Sequence, residues 1–288
     1  MSRRCGRSDV SARAAVIFVT VALLWGVPYA LLKIALDHGA EPLLIAWSRV
    51  AIGAAILIPI AAARGGLRGL RAHAGALVAI AVCDIAGPFT LLTLGERHIS
   101  SALAGILIAT TPLLVGALAV LVDPSERPGP RGWVGLLVGF AGVIALLGLR
   151  LSGDLAAAGM LLLAAAGYAV ATLLIRRIGD EVAPLGISAF ALTLATVLLA
   201  PGAVLSLPTD ADCGAWAAMA ALGVLCTAAA FALYYLLIAQ AGATRAALSV
   251  YLAPVFSVLA GALALDETLG AGAVAGLALI LTGSWLAR

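Results

Sequence analysis

Apolar residues run along this chain in long unbroken stretches, each closed by a short cluster of charged residues, prolines or glycines. A helix needs about 20 mostly apolar residues to cross about 30 Å of hydrocarbon. Cutting the 288-residue chain at its polar breaks gives ten such runs: 14–36, 43–63, 74–94, 100–122, 131–149, 155–175, 185–207, 215–238, 244–265 and 269–287. They are continuous rather than alternating, which predicts helices and not the strands of a barrel. The weakest break, at 239–243, rests on Gln240 and Gly242 with Arg245 just beyond, and nine spans follow if it fails. The first run is long and lacks a small-x-small cleavage site, so it reads as a retained span and not a signal peptide. The expected fold class is an all-α integral membrane protein of ten transmembrane helices.

Composition narrows the function. Of all residues 64% are apolar and only 11% charged, against about 25% charged in a soluble domain. That excludes a soluble enzyme and a nucleic-acid binder, and makes the lipid bilayer the solvent. The four cysteines (Cys5, Cys83, Cys213, Cys226) are far apart, with no CxxC, so neither a disulfide framework nor a metal site is expected. His38, His73 and His98 lie in or beside loops, and no HExxH, Gly-x-Ser-x-Gly, P-loop or catalytic carboxylate pair is present. No enzyme activity and no cofactor are indicated.

The net charge of +3 matters less than its placement. Thirteen arginines fall in the N-terminal segment, the even-numbered loops and the C-terminus, whereas the opposite side holds Arg97 and Arg150. Basic residues in short loops stay cytoplasmic, so both termini are expected in the cytoplasm.

The chain also resembles itself. ATTPLLVGALAVLVDPSERP around Pro112, followed by GWVGLLVGFAGVIALL, matches YLAPVFSVLAGALALDETLG around Pro254, followed by AGAVAGLALILTGSWLA. Pro112 aligns with Pro254, and Gly135 and Gly142 align with Gly276 and Gly283 after a one-residue slip. Five spans per copy is an odd number, so the second copy enters from the opposite face. Two inverted five-helix repeats, 1–150 and 151–288, are expected. This is an architecture of alternating-access carriers, with the site near the midplane.

Several side chains could line such a site. Asp84 sits mid-span, where a carboxylate costs about 2.5–3.5 kcal/mol unless it faces the bundle interior. It can hold a substrate amine or a coupling proton, or it can be a structural carboxyl bonded to a neighbouring helix. Trp25, Tyr29 and Lys33 recur every four residues on one face of the first span. The two aromatics suit a cavity wall, and Lys33 suits a snorkel toward the span's end. Tyr168 and Thr172 share a face of the sixth span, and Tyr234 and Tyr251 stand in the eighth and ninth. Their hydroxyls, with Thr111, offer polar points in an apolar surround. Arg49 requires a partner within its span, and Glu96, Asp37 or Glu41 can supply it. An Arg49–Glu96 structural ion pair is the expected arrangement. Pro88, Pro112 and Pro254 interrupt spans three, four and nine. Pro88 can offer a freed carbonyl to substrate, and the equivalent Pro112 and Pro254 can act as hinges. Gly26 and Pro28 mark a bend in the first span. GxxxG at Gly135–Gly139 and Gly272–Gly276 reads as packing within a monomer.

The stretches LLWGVPYALLKIAL (23–36), EPLLIAWSRVAIGAAILIP (41–59), SSALAGILIATTPLL (100–114), FALYYLLIAQAGATRAALSVYLAPVFSVLAGALALDETL (231–269) and GAVAGLALILTG (272–283) resemble the ten-span EamA-type exporters of the drug/metabolite transporter superfamily. One acidic turn departs from the usual Leu-Gly-Glu, reading Val-Asp-Pro-Ser-Glu with Glu126 one place late; Glu267 fits better. The resemblance implies export of amino acids or related small metabolites from a bacterial cytoplasm. Facilitated efflux and proton antiport are both compatible. It also implies a path lined by spans one, three, four, six, eight and nine. A broad drug-cation exporter and a non-transporting assembly or sensor protein stay open as alternatives.

Overall fold

A computed structural model describes residues 5–122, 129–148, 155–179, 181–207, 209–242, 246, 248–268 and 270–286. Every regular element among them is helical. The acidic turn at Asp123–Glu126, Arg150 and Arg245 lie outside the described residues.

Among the described residues seven helical runs are long and apolar enough to cross a membrane: Ala12–Asp37, Pro42–Ala63, Leu70–Gly95, Ser101–Leu118, Leu155–Ile178, Pro184–Leu205 and Cys213–Ala241. These are spans 1–4 and 6–8. Pro130–Gly148 is span 5, Ser249–Ala264 span 9 and Ala271–Leu286 span 10. The weak break is real, because Gly242 ends span 8 at φ +85°, a conformation glycine adopts without strain. The helix Ser249–Ala264 lies within the run 244–265 that the sequence predicts for span 9.

Several spans are not simple α-helices. Span 1 breaks at Val27, between helices ending at Gly26 and beginning at Pro28, as the WGVP sequence predicts. Span 4 breaks at Ala109–Thr110, just before Thr111 and Pro112. Pro254, its aligned counterpart, lies inside an unbroken helix. Span 3 carries a six-residue π-helical stretch, Ala81–Ala86, ahead of Pro88. Proline cannot donate to the carbonyl four residues back, and the wider π turn takes up that mismatch. Span 8 has a π stretch of the same length, Val224–Ala229, without a proline.

The spans pack in matched pairs. Span 2 lies on 7, span 4 on 9 and span 5 on 10. Span 1 lies on 9 as span 6 lies on 4, and span 3 lies on 6 as span 8 lies on 1. Exchanging 1–5 with 6–10 maps this set onto itself. Small residues permit the closest approaches. A side chain on Gly283 of span 10 would run into the backbone of Gly139 and Gly135 in span 5. Gly142 faces Gly276 O and Leu279 in the same seam. Large apolar side chains point outward instead, with Leu205 85% and Leu263 83% exposed. Water would penalise that surface, whereas lipid tails accept it.

Loop contacts define two ends. At the arginine-rich end His73 Nε2 meets Glu181 Oε2 at 3.1 Å, and Gly66 abuts Gly186. At the arginine-poor end His38 Nδ1 meets Asp212 Oδ2 at 2.8 Å and Arg97 approaches Glu41 at 3.9 Å. These two histidine–carboxylate pairs stand at matching loops of the two halves, one at each end.

Candidate functional site

Between the ends, spans 1, 3, 6, 7 and 8 surround an interior of aromatic rings and polar atoms. The Trp25 ring lies 4.8 Å from Tyr234 and 6.2 Å edge-on from Phe231. Tyr235 stacks on Phe231 at 6.5 Å, and its hydroxyl makes a short hydrogen bond with Ser188 of span 7. Trp25 and Tyr234 thus come together across the two halves. Asp84, half-buried on the π stretch of span 3, lies in electrostatic reach of Tyr168, Tyr234 and Tyr235. The close approach of span 6 sets that placement: Gly167 faces the carbonyl of Cys83 and the ring of Pro88, where a Cβ would collide. Pro88 is buried at this contact.

The other expected residues are placed as follows. Tyr29 lies beside Gly105 of span 4 and in the fields of Glu96 and Arg49. Tyr168 is also in the field of Tyr29 and Arg49. The Thr172 hydroxyl donates to the Tyr168 carbonyl of its own helix (2.8 Å), and the Thr111 hydroxyl donates back across the break in span 4 to the Ile108 carbonyl (2.7 Å), leaving lone pairs to accept from a ligand. Tyr251 stands half-buried in span 9, three residues before Pro254.

Arg49 differs from the expectation. Its Nε donates to Thr227 Oγ1 at 3.0 Å, and its guanidinium lies 3.9 Å over the Phe89 ring. No ion pair within 4.0 Å joins it to Glu96, because Thr227 on the π stretch of span 8 and Phe89 in span 3 claim the guanidinium instead. The Thr227 hydroxyl itself donates to Leu222 O at 2.9 Å, a bond that the π turn brings into reach. Thr227, Phe231 and Tyr235 recur every four residues on span 8. That periodic face is a sequence signal for Phe231 and Tyr235, whereas Ser188 carries none.

Nearer the arginine-poor end, contacts tie spans 1, 4 and 9 together. Glu267 accepts from Ser101 N (2.8 Å), Ser101 Oγ (3.0 Å) and Ala102 N (3.0 Å), capping the first turn of span 4 from the loop after span 9. Asp266 makes the turn that presents it, at φ +50°, a conformation Asp tolerates. Ser257 Oγ donates to Ser101 O at 3.3 Å, and Gly26 lies against Ala253 and Phe256. Lys33 Nζ reaches Glu96 O at 3.3 Å and Asp37 Oδ1 at 3.9 Å, as a snorkelling lysine does. The Glu96 side chain is fully buried, and neither carboxyl oxygen has a hydrogen-bond partner. Among the described residues no three His, Cys, Asp or Glu side chains gather to hold a metal.

Comparison with known proteins bears on what this interior serves. The model of the EamA-like transporter family matches residues 12–148 and again 155–288. A Bacillus subtilis (strain 168) protein named as the uncharacterized transporter YvbV is 26% identical over 94% of this chain and 90% of its own length. An Archaeoglobus fulgidus protein named as an uncharacterized transporter is 25% identical over 90% of this chain and 91% of its own. One crystal structure superposes with a TM-score of 0.69 at 25% identity, covering 96% of this chain and 95% of that one. The continuous apolar helices, the polar interior and these matches converge: the chain is a multi-span membrane transporter and belongs to the EamA-like transporter family.

Proposed function

We propose that this protein exports amino acids or related small metabolites across a bacterial cytoplasmic membrane by alternating access. The two halves, 1–150 and 151–288, act as inverted repeats that rock about the aromatic and acidic interior. The observation that carries the reading is the meeting of Trp25 and Asp84 from the first half with Phe231, Tyr234 and Tyr235 from the second. A rigid body would have no use for a central carboxylate beside rings drawn from both halves. A carrier uses it to hold a substrate ammonium while the rings cover its apolar part. Arg49, seated on Thr227 and Phe89, supplies the positive field that a substrate carboxylate needs.

The thirteen-to-two distribution of arginines sets the arginine-rich end in the cytoplasm with both termini, and the arginine-poor end outside. The contacts of Glu267, Ser101 and Ser257 then close the outer side in this conformation. The breaks before Pro28 and Pro112, with Pro254, are the hinge candidates. Pro88, Tyr168, Thr172, Thr111 and Tyr251 complete the lining. A monomer suffices, since both GxxxG helices pack on each other within one chain.

A second reading, export of organic cations, is favoured by the aromatic faces beside Asp84, which attract positive charge. Flux from proteoliposomes loaded with labelled amino acids, and in parallel with labelled organic cations, tests both. Amino-acid efflux carries the first reading, cation flux alone the second, and flux of neither overturns both.

A further inference from the structure

We infer that Glu96 is a proton-binding site built into the outer closure, loaded when the outer side shuts and emptied outward when it opens. The inference rests on the alternating-access reading above. Glu96 lies one residue beyond span 3, yet its side chain is fully buried and both carboxyl oxygens lack a partner. Its neighbours explain why. Gly95 brings this helix end against the Leu161 side chain and the Ala157 carbonyl oxygen of span 6, neither of which donates a hydrogen bond. Lys33 from span 1 uses its ammonium on the backbone carbonyl of Glu96, and Arg49 from span 2 is held by Thr227 and Phe89. Glu267, arriving from the loop after span 9, adds a second carboxyl to the neighbourhood and engages three donors of span 4. Tyr29 of span 1 also lies within its field. Arg97 is turned to Glu41, and His98 is exposed beside it.

An ionised carboxylate buried without donors is so costly that such a group takes up a proton instead. Closing the outer side therefore consumes one proton at Glu96. Opening it returns the carboxyl to water, where its ordinary value is about 4.3. The sign follows. In the closed state the group holds its proton to higher pH than in the open state. Above about pH 4.3, acid outside then favours closure, by up to about tenfold per pH unit for one linked proton. Below that value both states are protonated and the dependence ends.

The test needs no known substrate. Ser257 is fully buried in the outer closure, and Cys213 is exposed at the same end. In a chain carrying Ser257→Cys, with Cys5, Cys83 and Cys226 replaced by serine or alanine, an impermeant maleimide is applied from outside. Labelling at 257 is read by mass spectrometry as a ratio to Cys213, which cancels the reagent's own pH dependence. The ratio should fall steeply as external pH drops toward 4.3, and should be low and flat in Glu96→Gln. A flat ratio with Glu96 present, or a pH dependence that survives Glu96→Gln, overturns the proton site and leaves alternating access standing. No labelling at 257 at any pH overturns alternating access and the gate with it. Infrared spectroscopy checks the proton independently of motion. The carbonyl stretch of a protonated carboxyl should be lost in Glu96→Gln, and an unchanged spectrum overturns the proposal.

Discussion

Glu267 reaches across the bundle to Ser101, holding both its backbone N–H and its hydroxyl, at 2.8 and 3.0 Å. Ser101 and Ala102 open span 4, where backbone donors have no partner within their own helix, and here another span's loop supplies the acceptor. Glu267→Ala leaves two buried N–H groups bare and should cost about 1–3 kcal/mol. Ser101→Ala removes only the hydroxyl contact and should cost about 0.5–1.5 kcal/mol. Thermal unfolding of purified protein in detergent measures both. The double variant should lose less than the sum, because both changes break the same link.

The seam of spans 5 and 10 sets a second expectation. Gly283 touches the Gly139 and Gly135 backbone, which cannot move aside as a flexible side chain can. Gly283→Val should therefore destabilise the fold by at least about 1–3 kcal/mol, the usual cost of overpacking. Gly159→Ala, at a helical site with open space around it, should cause no loss. Equal melting temperatures for the two variants would show that the seam opens readily.

Much of this fold was legible because lipid leaves a chain few choices. Continuous apolar runs gave the number and order of spans, and the Gly26–Pro28 pair gave the bend in span 1. Gly135, Gly142, Gly276 and Gly283, which the sequence pattern aligns, lie together in one seam. What the sequence did not carry was local helix geometry and partner choice. A π stretch costs one extra residue per turn and leaves no composition signature, so the equivalence of Ala81–Ala86 and Val224–Ala229 was invisible. For the same reason charge points Arg49 to an acidic partner, whereas the π turn of span 8 delivers Thr227 to it. Charge alone cannot choose among groups on different helices.

Asp84 should separate transport from stability. In the proposed carrier Asp84, in the field of tyrosines of spans 6 and 8, contacts a charged substrate group, and a hydrogen bond to a charged group is worth about 1.5–3 kcal/mol. Asp84→Asn should therefore lower flux in proteoliposomes by about 10–100-fold. Its melting temperature should stay within experimental spread of the parent. A variant that melts early but transports normally per folded molecule would make Asp84 structural. Tyr235→Phe, which removes only the hydroxyl paired with Ser188, should reduce flux less than Asp84→Asn.

The His38–Asp212 pair predicts a pH effect at the arginine-poor end. Asp212 caps span 8, accepting from Gly214 N at 2.7 Å and Ala215 N at 3.1 Å, while its other oxygen meets His38. The hydrogen bond from His38, then the N–H groups of Ala215 and Gly214, hold its carboxyl below the ordinary value. A carboxyl lowered by folding stabilises the native state above its unfolded value, about 3.9. That contribution is lost as pH falls through the lowered one. Asp212→Asn keeps a capping oxygen but removes the charge. At neutral pH the variant should therefore melt slightly earlier than the parent. The two curves should start to converge as pH falls below about 3.9 and meet once it has passed the parent's lowered value. A gap that persists unchanged in acid would mean that the substitution disturbs the cap's shape and not its charge.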